Sequence, residues 1–150
     1  MGAMAFLSVD HFCGWVRGQQ EFSRWQADPK GRCQEAALEV ATLFTARQVA
    51  HRFLAVNIFD HAHGAQINLD HVVVVARVLL ANIVVDPTFG QFDAHAGPIV
   101  MHVLDWRPRL RDALGGRRAE LRSFATFQGA REWLPSFLSN VPHLEGGIAL

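Results

Sequence analysis

The chain predicts a single α+β domain in which a helix leads into a β-meander and helices follow. Three observations carry that prediction. Its 150 residues and 16.7 kDa suffice for one hydrophobic core. Half of the residues are hydrophobic and 19% are charged, the composition of a globular chain rather than a disordered one. The hydrophobic period changes from helical to β-branched and back, without the βαβ alternation of a parallel sheet.

Phe12, Trp15, Phe22 and Trp25 recur at helix-like spacing over residues 5–26, and ADPKGR after them is a turn cluster. From Cys33 a long amphipathic helix is predicted, with Ala36, Ala37, Val40, Ala41, Leu43, Phe44 and Val49 on its apolar face. Glu35 and Glu39 fall on its early turns, where carboxylates suit the positive end of the helix dipole. HRFLAVNIF (51–59) reads as a strand and DHAHGAQINLD (60–70) as a polar loop. HVVVVARV (71–78) is apolar on both faces, as a central strand covered on both sides must be, and NIVVD (82–86) follows as its neighbour. PTFGQFDAHAG then reads as a loop and PIVMHVLDW (98–106) as another strand. The last third reads as short helices broken at Gly115-Gly116 and Pro135.

Composition also excludes partners. Basic and acidic residues number 14 each, so no nucleic-acid footprint exists. The two cysteines, Cys13 and Cys33, form no CxxC zinc motif and need no disulfide framework. The longest apolar run, HVVVVARVLLANIVV, is interrupted by Arg77 and Asn82, so no membrane insertion is expected. The opening MGAM (residues 1–4) reads as a cloning remnant with no signal peptide behind it. The domain is therefore expected to have been excised from a longer effector. The arginines between 107 and 122 alternate with Asp105, Asp112 and Glu120, as on a solvated helix face.

Three residues carry candidate chemistry. A helix N-terminus favours a thiolate, and Cys33 opens the predicted helix. A cysteine nucleophile also needs a base, and the base needs a group that holds its ring. His71 opens a predicted strand and Asp86 closes the next one. With a two-residue turn at Leu79-Leu80, facing residue numbers sum to about 159. Asp86 then faces Val73, one diagonal step from His71 on the same face. Cys13, beside Gly14 and Trp15, is read as structural.

In their order and spacing, GRCQEAAL, DHVVVVARV and IVVDPTFGQF resemble the papain-like and transglutaminase-like cysteine superfamily. They are most similar to bacterial glutamine deamidase toxin domains of the mitogenic-toxin catalytic type. VDPTFGQF also resembles the Asp motif of the arylamine N-acetyltransferases, although KGR stands where those enzymes carry RGG before the cysteine. The resemblance implies a papain-like core, a Cys-bearing helix packed on an antiparallel sheet. It implies Cys33 as nucleophile, His71 as general base and acid, and Asp86 as the orienting group. Gln26 stands before the cysteine roughly where papain-like enzymes place an oxyanion-hole glutamine, and the Cys33 backbone N–H is the other candidate donor. The implied reaction is deamidation of a glutamine side chain of a target-cell protein through a thioester, with no cofactor. A specialised secretion system would deliver the domain, and an immunity or activating protein would be its further partner. A cysteine protease or acyltransferase is the alternative within this chemistry. Outside it stands a non-catalytic or metal-binding module, for which His61, His63, Asp70 and His71 are the candidate ligands. Their spacing lacks the compact HxHxDH pattern of metallohydrolases, so no metal is expected.

Overall fold

The computed structural model describes residues 5–62, 64–134 and 148–149. Its strands are β1 (His51–Ala62), β2 (Ala65–Val78), β3 (Ala81–Asp86), β4 (Ile99–His102), β5 (Arg118–Phe124) and β6 (Ile148–Ala149). They form one antiparallel sheet in the order β4-β3-β2-β1-β5-β6. The helices are α1 (Val9–Arg17), α2 (Gln20–Ser23), α3 (Cys33–Ala46), α4 (Val103–Ala113) and α5 (Phe127–Trp133).

β2 lies inside the sheet, as its two-sided apolar sequence requires. Because strand side chains alternate, Val72, Val74, Ala76 and Val78 join one core with Val40 and Phe44 of α3, Phe12 of α1 and Trp133 of α5. Val73 joins the opposite core with Val84, Ile58, and Trp106 and Leu110 of α4. Each such large side chain, once buried, stabilises the fold by about 1.5–3 kcal/mol. The sheet is thus sandwiched, with α1, α3 and α5 on one face and α4 on the other.

The β2–β3 turn sits at Leu79-Leu80, and the ladder pairs Val78 with Ala81 and Val74 with Val85. Both turn leucines have positive φ, 48° and 69°, the mirror-type hairpin geometry that usually calls for Asn-Gly. They are 59% and 86% exposed.

Four expectations are corrected. Residues 60–70 are not a loop: β1 and β2 run through them to a tight turn that pairs Ala62 with Ala65. His71 therefore lies within β2 rather than opening a strand. β4 ends at His102, and VLDW begins α4. Residues 118–124 form β5, although Ala, Glu, Leu and Arg all favour helices; pairing with β1 and burial of Ala119 and Leu121 override that local preference. The break after α4 falls at Gly115 and Gly116, both with positive φ, as the sequence predicts. Pro135 lies outside the described residues. Among the described residues, no helix is long and apolar enough to cross a membrane.

Candidate active site

The site forms where β3 stops short of β2. Because the ladder runs to Val74 and Val85, Asp86 lies beside Val73, and the β2 edge at Asp70 and His71 has no β3 residue opposite it. The N-terminus of α3 fills that place. Gly31, with φ 71°, turns the chain into the helix, and Arg32 precedes it without a side-chain cap. The N–H groups of the first turn are therefore unclaimed by any capping side chain. Cys33 is 7% exposed, and its thiol donates to the Asp70 carbonyl oxygen at 3.8 Å.

His71 and Asp86 are both fully buried. The ring Nε2 lies 3.1 Å from Asp86 Oδ1 and 3.0 Å from Oδ2. Trp106 Nε1 donates to the same Oδ2 at 3.0 Å, fixing the carboxylate from α4. The Gln91 amide stands 2.8 Å from His71 Nδ1, and Phe92 meets the ring edge-on at 4.8 Å between centroids. Burial works against charge on the ring. The Asp86 carboxylate outweighs it through charge and hydrogen bonding, with a further contribution from the Cys33 sulfur, and the His71 pKa is raised to about 10. As placed, Gln91 Nε2 faces Nδ1, the pairing of a neutral ring; an imidazolium would instead donate to Oε1, so the amide must turn over on protonation.

The structure therefore gathers Cys33, His71 and Asp86. It places Gln26 elsewhere, exposed on the wall of a cavity of about 410 Å³ that Pro29, Gly90, His95 and Gly97 also line. Among the described residues no hydrogen bond joins Gln26 to the three. Asp70 and His71 point to opposite faces of β2, which breaks up the alternative metal set. His61 is exposed near the turn of that hairpin, and His63 lies outside the described residues. Cys13 is buried in the core beneath α1, and burial pushes its thiol pKa up. Sequence reasoning missed Gln91 and Trp106. Gln91 sits inside the quoted PTFGQF segment, and a tryptophan in a core usually finds an acceptor for its indole N–H, yet neither signal names its partner.

A family model described as "Dermonecrotoxin of the Papain-like fold" matches residues 28–147. Among solved structures, the catalytic domain of the Salmonella virulence factor SseI aligns with a TM-score of 0.73 at 17% identity. The match covers 95% of this chain and 89% of that one. At that identity the likeness speaks to the fold, which is papain-like. No curated protein matches the chain.

Proposed function

The chain belongs to the dermonecrotoxin family of the papain-like fold, and from that membership we propose that it is a cysteine-dependent deamidase of glutamine side chains. A papain-like toxin domain needs a nucleophile, a base and an orienting acid, and the observation that carries this assignment is the contact set around His71. Its Nε2 is held by Asp86, Asp86 is held by Trp106, and the Cys33 sulfur interacts with the ring.

In the proposed reaction Gln91 gives up His71 Nδ1 and Cys33 turns from the Asp70 carbonyl, so that the proton between sulfur and ring rests on Nδ1 and the pair stands as thiolate and imidazolium before attack. The thiolate attacks the substrate carboxamide carbon, and the uncapped N–H groups of the first α3 turn receive the oxyanion. The imidazolium returns its proton to the departing nitrogen, so ammonia leaves and a thioester forms. His71 then activates water, which attacks the thioester and releases glutamate and the free thiol. Asp86 keeps the proton on Nε2 and stabilises the imidazolium throughout. With Cys33 only 7% exposed, a single inserted side chain is favoured over an extended backbone. Delivery into a target cell would supply the protein substrate, with an immunity or activating protein as a further partner.

Mass spectrometry of a target-cell lysate treated with the wild type or Cys33→Ala tests this reading. Glutamine-to-glutamate conversion that requires Cys33 is the expected result. New peptide termini without that conversion would instead identify a protease, and acylated products an acyltransferase.

A further inference from the structure

The face of β2 opposite His71 carries a second polar cluster. Asp70 of β2, Asn57 of β1 and Glu120 of β5 stand directly opposite one another across three adjacent strands. Asn68 lies two residues from Asp70 on the same face. Asn57 is 0% exposed, and Asn68 and Glu120 are 7% exposed. Asn68 Nδ2 donates to Asn57 Oδ1 at 3.2 Å. Among the described residues four buried atoms then have no partner: Asn57 Nδ2, Asn68 Oδ1, Asp70 Oδ1 and Glu120 Oε2.

Leaving a buried polar atom unpaired is unfavourable, so a row of them requires an explanation beyond packing. Three of the atoms accept, one donates, and two of the acceptors belong to carboxyl groups. Turning both asparagine amides over exchanges their roles and leaves the tally unchanged. Their complement is a donor-rich cation, a guanidinium or an ammonium. A guanidinium already packs on this face, since Arg118 lies 4.2 Å over the Phe59 ring, yet Glu120 Oε2 stays unpaired. Burial pushes the Asp70 carboxyl up to about 7, as befits an acid that lacks its counter-ion.

The row also begins at the reacting centre, because Asp70 is the residue whose carbonyl oxygen takes the Cys33 thiol. Strands lie about 4.8 Å apart, so Glu120 is about 10 Å further across the sheet, within the reach of one long side chain. We propose that Asp70, Asn57, Asn68 and Glu120 form a specificity subsite for an arginine or lysine side chain that flanks the reacting residue of the protein substrate. The subsite rests on the cysteine chemistry proposed above.

Methanethiosulfonate reagents test it without a known target. The rates of Cys33 modification by aminoethyl (cationic) and sulfonatoethyl (anionic) reagents are each divided by the rate with the neutral methyl reagent. In the wild type the normalised cationic rate should exceed the anionic one by about tenfold, the scale of charge focusing in a cleft. Asp70→Asn and Glu120→Gln should each reduce that ratio. A second measurement uses the wild type alone: N-acetyl-arginine amide should protect Cys33 from the neutral reagent, and the isosteric N-acetyl-citrulline amide should not. Equal protection by the two amides, or by neither, overturns the subsite, as does a charge ratio that both variants leave unchanged. A Cys33 that reacts no faster than Cys13 with any reagent would instead overturn the cysteine chemistry itself.

Discussion

Asp70 and His71 are neighbours in the chain and opposites in environment. Around His71 the ring nitrogens and the Asp86 carboxylate all have partners, supplied by Asp86, Trp106 and Gln91 from three separate segments. Around Asp70, four buried polar atoms have none among the described residues. A completed network holds its members in one geometry, which a proton-transfer relay requires. An incomplete one leaves bonds for something else to make. The sheet thus separates machinery from recognition by the alternation of a single strand.

The largest expected effect comes from opening the completed side. Asp86→Asn keeps the shape but puts an amide where two donors, His71 Nε2 and Trp106 Nε1, need an acceptor. Cys33-dependent conversion should fall by about 10²–10⁴-fold, the usual contribution of general acid–base catalysis. The fold should survive with a lower melting temperature. Asp86 is fully buried, so an amide left imperfectly paired at that position is felt in stability as well as in activity. Trp106→Phe should act more gently. It removes one donor to Asp86 and costs about 1–3 kcal/mol, a melting shift of about 2–4 °C per kcal/mol in a chain of this size. Activity should drop through kcat rather than KM, as expected when a positioning contact is lost.

Next come the pH windows, which compare the two neighbours directly. Both folded pKa values are raised, so each group contributes stability that is full below its unfolded pKa and is lost as pH rises through its folded one. For Asp70 the window runs from 3.8 to about 7, and for His71 from 6.5 to about 10. Melting curves of Asp70→Asn should therefore gain on the wild type between pH 4 and 7 and run parallel above that. Those of His71→Gln should approach the wild type only as pH rises toward 10. Identical pH dependence in both variants would erase the distinction between the two sides of β2.

The smallest effect is a control on register. Leu79-Leu80→Asn-Gly places residues suited to positive φ in the same turn, and relief of the left-handed strain is worth about 1–2 kcal/mol per residue at most. The protein should melt higher with activity unchanged, because neither leucine touches either cluster.

Much of the reacting side was legible in the sequence. A two-residue turn between β-branched runs fixes which residues face each other, and the observed pairs follow that register. The cysteine-bearing helix was legible because its apolar period begins at Cys33. What escaped was long-range. β5 is written in helix-forming residues and becomes a strand only through its pairing with β1. The strands through residues 60–70 carry polar side chains whose partners lie outside that segment, Asn57 for Asn68 and Arg117 for Asp60, and polarity alone reads as loop. Trp106 and Gln91 reach Asp86 and His71 from segments with no shared pattern. The orphan row was illegible for the same reason, since its members come from three strands.

The central claim is that the completed cluster exists to activate Cys33. Iodoacetamide alkylation of the folded protein, followed by peptide mapping, tests it most directly, because Cys33 and Cys13 are buried to nearly the same extent, 7% and 6% exposed. Steric access alone would give them similar rates. Cys33 should label many-fold faster than Cys13 in the wild type, and His71→Gln should abolish that advantage while Cys13 labelling stays the same. Equal labelling of the two cysteines in the wild type, or a Cys33 rate that ignores the loss of His71, would contradict the account.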